Sequence, residues 1–240
     1  MQIFRDLAQD LSQLFPRNSS KLWYTLLAAI LLQIAFWYLA TPGPNLISFE
    51  PRNFRSAITS VAWSILLLWF VPKILTGPLG LTRKRLGLAL GDYQAGSIIV
   101  FFGGGLALVL MSLASAAPAI QATYPWPGSS AGSSLQALVI WAGFYILYYA
   151  SFEFFYRGFL LRTLERALGL IPAIWLQAFA ATVVHFGKPF AETIAAFPAS
   201  LLFAVIAVRT KSLFYPVALH FIVGISIDIF SLARKGQLFP

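Results

Sequence analysis

The chain has 240 residues, of which 59% are hydrophobic and only 10% charged, with 22 phenylalanines. That composition excludes a soluble globular domain and predicts an all-α fold, a polytopic transmembrane helix bundle of about seven spans. The formal charge of +9 comes from 17 Lys and Arg against 8 Asp and Glu. The basic residues lie mainly in short segments between apolar runs, where anionic lipids are the expected partner; no basic stripe interleaved with aromatics points to nucleic acid. The absence of cysteine excludes disulfides, thiolate catalysis and cysteine-based zinc sites.

Met1 to Lys21 carries Arg5, Asp6, Asp10, Arg17 and Lys21 and lacks the apolar core and small-residue cleavage site of a signal peptide. Residues 1–21 are read as a cytoplasmic amphipathic segment, with Phe4, Leu7, Leu11 and Leu14 on one face of a surface helix over Ile3 to Phe15. Residues 22–240 form the membrane domain. Its spans are expected over Leu22 to Ala40, Ala57 to Leu75, Ser97 to Ala117, Leu135 to Leu161, Leu170 to Phe186, Thr193 to Val208 and Leu213 to Leu232. Gly103-Gly104-Gly105 in the third reads as a close-packing surface for a neighbouring helix, and Pro198 in the sixth as a kink. The connection from Pro118 to Ser134 has no charged residue.

Alternating sides from a cytoplasmic N-terminus puts Arg5, Arg17, Lys21, Lys73, Arg83, Lys84, Arg85, Arg162, Arg166, Arg209 and Lys211 inside. Arg52, Arg55, Lys188, Arg234 and Lys235 fall outside. The asymmetry favours the N-terminus in and the C-terminus out.

Glu153 and Arg157 stand four residues apart in Phe152-Glu153-Phe154-Phe155-Tyr156-Arg157-Gly158, within a run otherwise fit for lipid. An acid and a base there are costly unless they pair, face a cavity or do chemistry. The only histidines, His185 and His220, also lie in apolar runs. If the chain folds back at Gly169, Glu153 lies sixteen residues before the turn and His185 sixteen after it. His220, seven residues in from Leu213, sits ~10 Å deep from the same side at 1.5 Å per residue. Three segments thus converge on one level.

A buried carboxylate can serve as general base on a water while imidazoles stabilise an oxyanion or pass a proton to a leaving amine. Arg157, one turn beyond Glu153, would orient it or grip a substrate carboxylate. No cofactor is expected; the alternative is zinc held by Glu153, His185 and His220 with water in the fourth position, although the His-Glu-x-x-His helix is absent. A Glu–Arg pair can also be a structural tie, and a lone imidazole an interhelical hydrogen-bonding group. Asp228 is read as an interfacial acid or a group supporting the site. Lys188 and Glu192 are read as an outer loop pair that could fold over the cavity and meet substrate.

Glu153-Phe154-Phe155-Tyr156-Arg157-Gly158, His185 after a 28-residue interval from Arg157, and His220 in the last span resemble the CPBP family of intramembrane proteases. That family includes the CAAX prenyl endopeptidases and the bacterial Abi or bacteriocin self-immunity proteins. The resemblance covers residues 135–232 and implies a multi-helix membrane core whose Glu, Arg and His residues line a cavity open to the cytosol. Three positions depart from the family pattern: Phe152 replaces the first Glu of Glu-Glu-x-x-x-Arg, Ala181 the Phe of Phe-x-x-x-His, and Gly224 the Asn or Asp of His-x-x-x-Asn/Asp. The resemblance implies a metal-free endopeptidase of a bacterial cytoplasmic membrane, cutting a membrane-embedded or lipidated substrate, with Glu153, Arg157, His185 and His220 catalytic. The competing readings are a non-catalytic immunity or scaffold protein and, more distantly, a proton-coupled transporter.

Overall fold

The computed structural model describes residues 3–6, 20–40 and 53–240. Residues 3–6 are helical and exposed; the rest of the surface helix expected up to Phe15 lies outside the described residues.

Eight helices carry the described chain: α1 (Ser20–Ala40), α2 (Phe54–Leu75), α3 (Tyr93–Ala114), α4 (Pro118–Thr123), α5 (Leu135–Leu168), α6 (Leu170–Val183), α7 (Phe190–Thr210) and α8 (Phe214–Arg234). Six are long and apolar enough to cross a membrane, and α6 is a shorter apolar helix. This is an integral membrane protein. Helices span lipid because their backbone polar groups are satisfied internally, leaving apolar side chains such as Phe101, Phe102, Leu106 and Val109 of α3 free to face outward.

The seven expected spans are all helical, with corrections of boundary at α3 and α6. α3 starts four residues early, because the Asp92 side chain accepts from the Ala95 amide and caps the helix. As the Arg162–Gly169 stretch suggests, α5 continues as a helix beyond its span to Leu168, where Gly169 at φ +86° ends it. α6 stops at Val183 and turns; its 14 residues extend only ~21 Å, short of a ~30 Å hydrocarbon core. His185 therefore sits in the turn after a helix, at the tip of a short hairpin, and not within a span. Pro198 lies inside α7, which runs unbroken from Phe190 to Thr210.

The uncharged connection from Pro118 to Ser134 folds inward. Pro118 starts α4 at the first helical position, and Tyr124, Trp126 and Ala131 are buried. The Trp126 ring lies 5.5 Å from Trp141 and 4.8 Å from Tyr148, both on α5. A charge in this connection would have opposed that burial.

α3 packs on α8 as the glycine triplet suggests, though only in part. A Cβ at Gly103 would lie 3.1 Å from Leu219, and one at Gly104 3.1 Å from Ile222, whereas Gly105 faces open space. The start of α8 is set by the connection between α2 and α3. The Leu213 amide donates to Gly87 O (2.9 Å) and the Asp92 amide to Thr210 O (2.8 Å). Gly91, at φ +61°, brings its Cα so close that a Cβ would lie 2.0 Å from Thr210 O. Asp92 also pairs with Arg209 at 2.8 Å. Together these contacts index α8, and with it His220, against the rest of the bundle.

The Ala95 amide and then Arg209 hold the Asp92 carboxyl below its ordinary value. A depressed acid contributes stability above its unfolded pKa of about 3.9 and loses it as pH falls through the folded value. The first turn of α3 is therefore expected to loosen below about pH 4, read as faster amide exchange at Tyr93 to Gly96. Unchanged protection there on acidification contradicts the assignment.

Candidate active site

The acid and base of α5 lie where the helix changes pitch. Residues Leu135–Glu153 are α-helical and Phe154–Leu160 form a π-helical segment before the α-helix resumes. Such segments are uncommon and cluster at functional sites. Every residue from Ser151 to Leu161 is buried, so both charged side chains point into protein.

Glu153 Oε1 accepts from Arg157 Nη1 at 3.2 Å and from His220 Nδ1 at 2.7 Å. Glu153 is 0% exposed and Arg157 1%, whereas the His220 side chain keeps 15%. One carboxylate oxygen thus joins a guanidinium on its own helix to an imidazole on α8. Since that oxygen already accepts from Arg157, the proton lies on His220 Nδ1, leaving the Nε2 lone pair free. Among the described residues, the other oxygen, Glu153 Oε2, is buried without a hydrogen-bond partner, as is Arg157 Nε.

His185 is oriented by its own backbone. Its Nδ1 lies 2.9 Å from Ala181 O; a carbonyl only accepts, so Nδ1 carries the proton and Nε2 is again the free nitrogen. Thr193 Oγ1 donates to His185 O at 2.8 Å, tying the turn to α7. Phe152 stands edge-on to both imidazoles, 6.3 Å from His185 and 5.2 Å from His220 between ring centroids. The convergence expected for Glu153, His185 and His220 is thus present, directly for the first and last and across Phe152 for His185. Arg157 also lies 5.8 Å from the Phe152 ring and 5.6 Å from Phe203, contacts that favour a cation in a dry site.

Sequence reasoning passed over Gln177. It is fully buried on α6 and donates through Nε2 to Ser200 O at 3.3 Å, the carbonyl that Arg157 Nη2 reaches at 3.5 Å. A lone amide in the apolar run of α6 was the available signal, because such side chains tie membrane helices together. Tyr149 was also passed over, hidden among the aromatics of α5.

Asp228, Lys188 and Glu192 belong to a different cluster. Asp228 is not interfacial: it is fully buried and accepts from the Trp126 amide at 2.9 Å and from Trp141 Nε1 at 2.8 Å. It anchors the inward-folded connection. Lys188 and Glu192 pair at 2.8 Å as expected, and Glu192 accepts from the Tyr124 hydroxyl at 2.8 Å. The α6–α7 turn is thereby fastened to the Pro118–Ser134 connection, with Glu192 in the first turn of α7.

The three candidate zinc ligands do not form a ligand set. Glu153 faces Nδ1 of His220, and the free Nε2 lies on the far side of that ring; among the described residues no group of three His, Cys, Asp or Glu side chains is disposed to hold an ion.

The fold and the site define a helical membrane protein with a buried carboxylate joined to an imidazole and a guanidinium. Residues 134–226 match the family model described as "Rce1-like: Type II CAAX prenyl endopeptidase Rce1-like". That match bears out the resemblance drawn from Glu153 to Gly158, His185 and His220, and covers every one of those positions. No curated protein and no solved structure matches the chain.

Proposed function

We propose that the protein is an intramembrane endopeptidase of the CAAX-protease type, cutting a peptide bond in a membrane-embedded or lipidated substrate without a covalent intermediate. The observation that carries this reading is the Glu153–His220 contact of 2.7 Å, made inside a membrane bundle and sharing its carboxylate oxygen with Arg157. The sequence alone suggests Glu153 as base. Its complete burial and the two donors on Oε1 favour a different division of labour, in which His220 Nε2 is the base and Glu153 holds the tautomer.

A water attacks the peptide carbonyl carbon as His220 Nε2 removes one of its protons; the new C–O bond forms and the carbonyl pair moves onto oxygen. His185 Nε2 accepts the water's other hydrogen bond and orients it. On collapse the C–N bond breaks and His220 returns its proton to the leaving amine. Glu153 stabilises the intervening imidazolium, and Arg157 offsets the carboxylate's charge when the imidazole is neutral.

The exposed Arg83, Lys84, Arg85 and Lys211 lie at the end of the bundle where α8 begins. They support reading that end as cytosolic, against anionic headgroups of a bacterial inner membrane, with the N-terminus in and the C-terminus out.

The test is the purified protein in vesicles, offered an isoprenylated C-terminal peptide and an unlipidated membrane-spanning peptide. Cleavage of either, undiminished by chelator, is the expected result. Loss of cleavage on chelation would favour the zinc alternative. The second reading, a non-catalytic immunity or scaffold protein, draws on Phe152, whose ring occupies the space between the imidazoles where the family motif has an acid. Absence of cleavage, with the cellular phenotype retained by Glu153→Gln, would favour it.

A further inference from the structure

His220 is bracketed by three aromatic rings. Phe152 meets its edge at 5.2 Å, Phe203 lies at 5.1 Å, and Tyr149 lies closest, at 4.2 Å and tilted by 36°. Tyr149 also reaches the backbone of the helix that carries the imidazole. A Cβ built on Gly224, one turn after His220 on α8, would fall 1.9 Å from the Tyr149 hydroxyl and 2.5 Å from its Cζ. The hydroxyl thus occupies the space a side chain at 224 would fill.

The ring cannot easily give way. Tyr145 packs on it at 4.6 Å and Tyr148 at 5.3 Å, and Tyr149 is itself buried. Imidazole and phenol are therefore held as one unit: Gly224 leaves room for the end of the tyrosine side chain, Tyr145 and Tyr148 fix its ring, and the ring fixes the imidazole plane. Rotation of that plane by half a turn about the Cβ–Cγ bond would move Nδ1 away from Glu153 and turn the base nitrogen inward.

The geometry points to Tyr149 as the positioning residue for His220, acting through its ring face, with Gly224 as the vacancy that admits it. This rests on the proposed reaction only for its activity readout; the positioning itself is a property of the resting protein. It makes two unlike substitutions equivalent. Tyr149→Ala removes the ring, and Gly224→Ala drives it off the imidazole.

The experiment uses the full chain in detergent micelles, with 15N-labelled histidine and a His185→Gln background to isolate the His220 resonances. In the parent, His220 is expected as one neutral tautomer with its proton on Nδ1. Tyr149→Ala and Gly224→Ala are each expected to give tautomer-averaged signals, and Tyr149→Phe, which keeps the ring, to retain the parent spectrum. Tyr149→Leu, which fills volume without an aromatic face, guards against a merely collapsed core and should behave like Tyr149→Ala.

In vesicles with His185 intact, Tyr149→Ala and Gly224→Ala should each lower kcat by about tenfold or more with KM within about twofold, and the double variant should be no worse than Tyr149→Ala alone. A single fixed His220 tautomer in folded Tyr149→Ala or Tyr149→Leu protein overturns the inference, as does parental kcat in Gly224→Ala. If no variant or parent cleaves any peptide while the tautomer changes occur as stated, the positioning stands and the peptidase reading falls.

Discussion

Glu153→Gln is expected to lower peptide cleavage by a factor of about 10³–10⁴, the scale of loss when a carboxylate that fixes a catalytic imidazole's tautomer becomes an amide. The carboxylate accepts from His220 Nδ1 and from Arg157 Nη1 through one oxygen. An amide that turns its NH2 toward Nδ1 sets it against the Arg157 donor, and one that keeps its oxygen there carries no charge to stabilise the imidazolium formed as Nε2 takes the water's proton. Either arrangement disables His220 as the base. His220→Ala should cost a similar factor, and the double variant little more, because both remove one unit. Rates are to be measured on variants whose melting temperatures in detergent show a folded protein. Cleavage by Glu153→Gln within tenfold of the parent would remove Glu153 from the mechanism.

The second large effect is on stability. Arg157→Met keeps the length of an apolar stem while removing the guanidinium, leaving the fully buried Glu153 carboxylate without its counter-ion. Breaking a buried pair from one side typically costs about 3–5 kcal/mol. The second substitution in Glu153→Gln/Arg157→Met should recover a substantial part of that loss, since a neutral amide no longer needs the cation. Unfolding in detergent with increasing denaturant measures both. If Arg157→Met is as stable as the parent, the pair carries no structural weight and its retention is catalytic alone. The lost contacts to the Phe152 and Phe203 rings and to Ser200 O add to the cost of the single change and limit the recovery.

The two effects share a structural origin in the π-helical segment Phe154–Leu160. Near Glu153 it alters the register between α5 and its neighbours, and Arg157 emerges beside both its acid and the Ser200 carbonyl of α7. Nothing in the local residues requires the wider turn: Phe154-Phe155-Tyr156-Arg157-Gly158-Phe159-Leu160 suits an α-helix as well. Packing selects it. A Cβ at Gly158 would lie 3.1 Å from Leu213 and 3.2 Å from Leu86 O, so the segment is pressed against both the α7–α8 turn and the α2–α3 connection.

Much of the protein was legible in the chain because lipid leaves few options. Long apolar runs must be helices, and a Glu, an Arg and two His within them must find partners or a cavity. Counting residues from Gly169 pointed to Glu153 and His185 as neighbours, although the wider turns of Phe154–Leu160 and the end of α6 at Val183 depart from a constant rise per residue. Periodicity could not say which oxygen meets which nitrogen. That depended on interhelical register, set by contacts distant in sequence such as Gly91 against Thr210 and Leu213 on Gly87.

The same limit explains the misreadings. Asp228, near the end of an apolar helix, looked interfacial until the uncharged connection folded inward and brought Trp126 to it. Gln177 and Tyr149 looked like ordinary members of apolar and aromatic runs; their importance lies in Ser200 O, His220 and Gly224, each on another helix. Composition and spacing therefore determined the membrane bundle and singled out the acid, the guanidinium and the two imidazoles within it. The tertiary structure decided their chemistry: which imidazole receives the carboxylate, which nitrogen is left free, and which ring holds it. Those are matters of a few tenths of an ångström between helices, and only close packing of the whole bundle resolves distances that small.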